Sequence, residues 1–308
     1  MKYLKLIRYQ NLLMLALMQL LFRYGFLKFQ NIPLALNDWQ YCLLVFATVM
    51  IAAGGYVINN IMDQGTDNDN KPNQVVVGKS ISETNAYTIY FACTVLGVGV
   101  GFYLSNVIAK PGFAAIFIII SATLYLYATS LKQMLLVGNF VVALLLAFSV
   151  LIIPIFDLLP VINPENQIVM SELFSVLLDY ALFAFVINFI REIVKDLEDV
   201  NGDYNQGMNT LPIALGISRT SKLVLILSLI PLVLVIFYIK NYFFAFDLYV
   251  ATLYTLICIV APLIYFAVKM ADAKKSQDFH HLSTVLKLII LFGLFSIAIV
   301  TYNILHHA

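Results

Sequence analysis

The sequence predicts an all-α, polytopic membrane protein. Three observations lead there. Hydrophobic residues make up 62% of the chain and charged residues 11%, with a mean hydropathy of +0.91. Soluble chains are about half apolar and about a quarter charged. Apolar runs of spanning length, roughly 20 residues each, fill the 308 residues nearly end to end. The basic residues also gather at alternate ends of those runs, as the positive-inside rule requires.

About nine runs are expected, at 11–27, 40–62, 86–108, 113–130, 134–156, 173–194, 222–239, 247–270 and 282–304. Each is read as a helix, because open sheet cannot satisfy its backbone in lipid. The first ten residues carry Lys2, Lys5 and Arg8 and no small-residue cleavage site follows. They read as an amphipathic lead-in at the membrane surface. One membrane domain over 1–308 is the expected organisation.

With the N-terminus in the cytoplasm, all of the 18 Lys and Arg residues except Arg23, Lys28, Lys110 and Lys240 fall on cytoplasmic ends and loops. The long outer connection at 157–172 contains Asp157, Glu165 and Glu172 and no basic residue. Localisation to the cell (inner) membrane follows, with the charged loops facing the cytoplasm. The net charge of +1 points to no nucleic-acid partner. Cys42, Cys93 and Cys258 lie inside apolar runs, without disulfide or zinc spacing. His280, His281, His306 and His307 read as surface residues.

Two polar clusters break this pattern. From Asn59 to Asn70 the chain holds three carboxylates and five amides. Asn59, Asp63 and Asp67 are four residues apart and share one face if the second span continues. Gly65 and then Pro72 are expected to end that helix. In the second cluster, at the end of the sixth run, Asp196, Asp199 and Asp203 form another helical stripe. Glu192 lies one turn earlier.

Carboxylates so close repel, and a hard divalent cation removes that cost. Mg²⁺ accepts a few carboxylates and completes its shell with water and phosphate oxygens. Lys71, Arg191 and Lys195 interleave with the acids, as a site for a diphosphate with Mg²⁺ requires. An EF-hand fails, since Pro72 and Gly78 occupy its glycine and glutamate positions counted from Asp67. A solvated acidic loop and a cation or proton-coupled transporter remain as alternatives. Transporters place ionisable groups near the bilayer midplane, whereas most here lie at span ends.

The motifs carry a resemblance. Asn59-Asn60-x-x-Asp63-x-x-x-Asp67 followed by Asn70-Lys71-Pro72 is similar to the first signature of the UbiA superfamily of intramembrane prenyltransferases. Asp196-x-x-Asp199-x-x-x-Asp203 followed by Thr210-Leu211-Pro212 resembles the second. Tyr127 to Lys132 resembles the Tyr…Leu-Lys element after the family's fourth span. Asn60 departs from the pattern, because the family has Asp there.

The resemblance implies a bundle around a central cavity and Mg²⁺-dependent transfer of a prenyl group from an isoprenoid diphosphate to a lipophilic or amphiphilic acceptor, with release of diphosphate. It implies Asn59, Asp63, Asp67, Asp196, Asp199 and Asp203 as metal ligands. Asn11, Lys71, Lys132, Arg191 and Lys195 are implied as diphosphate contacts, and Asp63, Asp67, Asp196, Asp199, Lys132 and Tyr127 as catalytic residues. Arg191-Glu192-Ile193-x-Lys195-Asp196-x-Glu198-Asp199 is most similar to the branch that alkylates a glyceryl phosphate to give an ether lipid. A quinone precursor ranks next as acceptor. Gln19, Arg23 and Glu192 stay unresolved, with Arg23 either reaching the site or snorkelling outward.

Overall fold

A computed structural model describes residues 1–70 and 75–306. Lys71, expected as a diphosphate contact, and Pro72 and His307 lie outside the described residues. Among the described residues, nine helical segments are long and apolar enough to cross a membrane. The helices are α1 (Lys2–Leu6), α2 (Tyr9–Tyr24), α3 (Asp38–Met62), α4 (Gln64–Asn70), α5 (Glu83–Val107), α6 (Ala114–Thr129) and α7 (Val137–Asp157). Then follow α8 (Gln167–Asn205), α9 (Leu211–Leu215), α10 (Ile217–Tyr238), α11 (Tyr249–Thr255), α12 (Ala261–Asp272) and α13 (Ser276–His306). A π-turn at Leu256–Val260 joins α11 to α12, so the two make one span.

Local chemistry sets several helix ends. Asn37 accepts the backbone N–H of Gln40 while Gln40 accepts that of Asn37, each at 2.9 Å, a reciprocal cap that starts α3. Ser82 caps α5 through the N–H of Asn85. α8, the sixth span, is longer than its apolar run. Its 39 residues amount to roughly 58 Å, about twice the hydrocarbon thickness. The second acid stripe therefore sits on a continuous helical extension.

Packing in lipid relies on close approach rather than on hydrophobic transfer. α5 lies along α3 and α6. At Gly101, a Cβ would fall 2.3 Å from the ring of buried Phe117 on α6, so only glycine lets the two helices meet there. One apolar cluster joins α2, α3, α7 and the first half of α8. A second joins the later half of α8 to α10, α12 and α13. α8 is thus shared by both clusters.

At the end of the bundle opposite the acid stripes, the structure settles Arg23. Its side chain is 1% exposed and forms an ion pair with Asp157, itself fully buried. Arg23 Nη2 also donates to the Leu36 carbonyl at 2.5 Å, and the Leu36 N–H donates to Asp157 Oδ1 at 3.1 Å. The ring of Tyr41 stacks under the guanidinium, 4.3 Å away. Arg23 neither snorkels nor reaches the acid stripes. It ties the segment before α3 to the end of α7. Asp157 belongs to this buried pair and not to an open loop, because a guanidinium at that depth needs a carboxylate partner.

Candidate active site

The first stripe keeps its register through a local break. The helix is interrupted only at Asp63, where α3 ends and α4 begins. The N–H of Asp63 still donates to Asn59 O (2.9 Å) and that of Asp67 to Asp63 O (2.8 Å). The i, i+4 relation survives, and Asn59, Asp63 and Asp67 follow one another along one face. Gly65 does not end the helix as expected. It faces the side chain of Gln206 at the tip of α8, where any larger residue would crowd. α4 packs against α8. Asp69 accepts from Asn205 Nδ2 and Gln206 Nε2 at 3.5 and 3.4 Å, a loose link between the two clusters.

Asn59 Nδ2 donates to Asp63 Oδ2 at 2.5 Å. That bond fixes the amide's orientation, and Asn59 Oδ1 is left buried with no hydrogen-bond partner. Asn60 behaves differently. Its amide donates to Tyr56 O and to Leu6 O in α1, at 2.8 and 3.1 Å. The residue that departs from the motif holds the lead-in helix and contributes no ligand atom in this arrangement.

Lys132 reaches the first stripe from the three-residue turn Leu131–Gln133 that follows α6. Its ammonium forms an ion pair with Asp63. The turn lies under the start of α7, where a Cβ on Gly138 would sit 2.7 Å from Lys132 Cα. Glycine at 138 is what allows Lys132 its depth. Burial pushes the Lys132 ammonium down to about 8, nearby Arg8 adds to this, and the charge of Asp203 opposes it. Lys132 therefore lies within electrostatic reach of both acid stripes.

On the second stripe, Asp196 accepts from Asn139 Nδ2 of α7 at 2.8 Å. Asp203 is 7% exposed. Tyr127 is partly buried and shares the neighbourhood of Glu192, Asp196 and Asp203. Asp199 is also on this stripe, partly buried. Among the described residues no three carboxylates converge on one point. Asp63, Asp69 and Asp196 are each held by an amide or ammonium.

The remaining expected contacts gather on another flank. Glu192 is buried and accepts from Lys195 Nζ at 2.9 Å, with Arg191 Nη1 at 3.5 Å. Asn11 accepts from Lys287 Nζ of α13 at 2.9 Å. Arg8 lies over the ring of Tyr56, 5.4 Å from its centroid. Arg8, Asn139 and Lys287 were not singled out from the sequence. Asn139 and Lys287 carried a signal, being polar residues inside apolar runs, where lipid tolerates few.

The donor set suits a hard cation. It consists of carboxylate oxygens with one orphaned amide oxygen on Asn59, and a lysine ammonium already occupies the side of Asp63 where positive charge is wanted. Asn59, Asp63 and Asp67 could hold one ion, and Asp196, Asp199 and Asp203, which share a stripe without converging, could be drawn together around another.

The model of the UbiA prenyltransferase family matches residues 25–291, which include both acid stripes and Lys132. The chain belongs to the UbiA prenyltransferase family. It is 31% identical over 201 residues to a digeranylgeranylglyceryl phosphate synthase of Korarchaeum cryptofilum, covering 65% of this chain and 64% of that protein. The chain thus spans less than two thirds of the length of this relative. A solved structure of a digeranylgeranylglyceryl phosphate synthase in membranes superposes with a TM-score of 0.65 at 22% identity, over 97% of each chain. A UbiA homologue from Archaeoglobus fulgidus, bound to DMAPP and Mg²⁺, gives 0.59 at 16% identity, over 96% of this chain and 99% of that one. At these identities the two structures establish the UbiA fold. The protein is an integral, multi-pass membrane member of that family.

Proposed function

We infer that residues 1–308 form one membrane-embedded prenyltransferase. It moves a prenyl group from an isoprenoid diphosphate to the hydroxyl oxygen of a glyceryl phosphate ether lipid, and releases diphosphate and the hydroxyl proton. The observation that carries this is Lys132. It joins the third motif to Asp63 of the first and lies within reach of Asp203 of the second. A cation between two acid stripes suits a diphosphate held on one side by metal and on the other by ammonium. The acceptor class rests on the second motif and on the relative from Korarchaeum cryptofilum. The Archaeoglobus fulgidus homologue's ligands, DMAPP and Mg²⁺, support the donor and the cofactor. The distribution of basic residues supports a cytoplasmic position, at the cell membrane, for the acid stripes, the Lys132 turn and the N-terminus.

Asn59, Asp63, Asp67, Asp196, Asp199 and Asp203 would hold Mg²⁺, which would supply Lewis-acid stabilisation of the leaving diphosphate. The chain's own groups do the rest. Lys132 neutralises a diphosphate oxygen as the allylic C–O bond lengthens. Tyr127, beside the second stripe, offers an aromatic face to the developing allylic cation. The apolar helices around the site keep water from capturing that cation.

The test is product mass spectrometry on the purified protein, with a panel of acceptors and prenyl diphosphates, with and without Mg²⁺. Transfer to a glyceryl phosphate ether that stops without Mg²⁺, and is lost in Asp63→Ala and Asp196→Ala, is the expected result. Full activity in both variants overturns the site. Metal flux in liposomes without any prenyl substrate would favour a transporter.

A further inference from the structure

The flank at Lys287 has a different electrostatic character from the acid stripes. Here Arg8, Arg191 and Lys195 stand near the carboxylate of Glu192, with Asp196 one turn further on, and Lys287 of α13 stands beside Arg191, in ion-pair contact with no carboxylate among the described residues. Lys195 is engaged with Glu192 at 2.9 Å. Arg191 touches it only at 3.5 Å and spends its Nε on the Ser283 carbonyl at 3.4 Å. Lys287 has a neutral partner, Asn11 Oδ1 at 2.9 Å, and lies within electrostatic reach of Arg191. Lys287 is half-buried in a membrane-spanning helix. Placing like charges together there is costly without a compensating anion.

The two flanks of the site therefore ask for different ligands. The acid stripes need added positive charge before they can hold a phosphate. The Lys287 flank already has it and can bind an anion directly, without metal. A phosphate monoester is a compact dianion that suits several converging ammonium and guanidinium donors.

We propose that Lys287, with Arg191 and Asn11, binds the phosphate of the acceptor lipid, separately from the donor's diphosphate. This rests on the reading of the acceptor as a glyceryl phosphate ether. It reassigns Asn11 and Arg191 from the donor to the acceptor. α2 and α13 pack against each other and carry Asn11 and Lys287, so the site sits between two membrane-spanning helices. An acceptor anchored in the bilayer by its chain presents its headgroup at such a position. Asn11 holds the lysine in place before the lipid arrives.

The experiment is equilibrium binding to the purified full-length protein in detergent, in EDTA for every probe except the prenyl diphosphate, which is titrated in Mg²⁺. The probes are an ether-linked prenylglyceryl phosphate, the same ether lacking phosphate, inorganic phosphate and a prenyl diphosphate. The wild-type protein is expected to bind the phosphate-bearing ether about 10-fold or more tightly than the phosphate-free one. Lys287→Gln abolishes this preference, Lys287→Arg retains it, and both leave prenyl diphosphate affinity as it was, which also reports an intact fold. Equal weakening for prenyl diphosphate, an undiminished preference in Lys287→Gln, or inorganic phosphate binding as tightly as the lipid each overturns the proposal. A parallel transfer assay separates the two readings. If the preference depends on Lys287 but no transfer product forms, the enzymatic reading fails and the site stands. If product forms and the preference ignores Lys287, the site fails alone.

Discussion

Replacing Lys132 by Met keeps the side chain's length and removes its charge. The ammonium and the Asp63 carboxylate it pairs with are only 10% and 16% exposed, so water does little to screen them. Loss of one preorganised donor at a developing negative charge costs about 100- to 1000-fold in turnover. The same substitution has an opposite effect on the metal. Asp63 keeps the Asn59 amide at 2.5 Å but no longer shares its other oxygen with an ammonium. The freed oxygen becomes available to a cation, so metal binding without substrate is expected to tighten. Steady-state transfer followed by mass spectrometry measures the first effect, and Mn²⁺ binding by electron paramagnetic resonance the second. Turnover near the wild-type value, or metal affinity falling together with turnover, would refute the placement of Lys132 between carboxylate and diphosphate.

Three further outcomes are expected. Asn59→Leu removes the orphaned amide oxygen and weakens Mn²⁺ binding, whereas Asn59→Asp preserves it; the same resonance titration reads both. Asp157→Leu removes the buried partner of the Arg23 guanidinium, leaves it only the longer 3.5 Å contact to exposed Asp38, and destabilises the protein by about 3–5 kcal/mol, while the double variant with Arg23→Leu recovers most of the loss in detergent unfolding curves. Gly101→Val drives a side chain into Phe117 and costs about 1–3 kcal/mol; adding Phe117→Ala makes the double variant more stable than the sum of the singles.

The nine spans and both acid stripes were legible because lipid enforces a simple code. Apolar runs must be helices, and charge inside them must have a reason. Boundaries were less legible, since a helix need not stop where its hydrophobicity does. The sixth run is apolar over 173–194, but α8 extends to Asn205 because α4 and the start of α13 pack along its polar extension. Gly65 read as a breaker, yet contact with Gln206 carries the helix through it. Arg23 could not be placed from sequence, because its partner is 134 residues away. Asn60 is the instructive exception. Its departure from the family motif was visible, but its use in holding α1 appears only once Leu6 is seen beside it.

The length of α8 has a geometrical consequence. A rigid rod of roughly 58 Å is a lever, and each degree of rotation about its outer end displaces its tip by about 1 Å. Reactive groups in a working site are held to well under that distance. The angle of α8 to the helices that carry the first stripe must therefore be controlled to a fraction of a degree, a tolerance no single contact supplies. α7, α13, α10 and α4 all bear on the rod at different heights. Thickening or thinning the bilayer changes helix tilt. For this rod such a change moves the second acid stripe while the first, joined to its span through the break at Asp63, has a joint with which to follow.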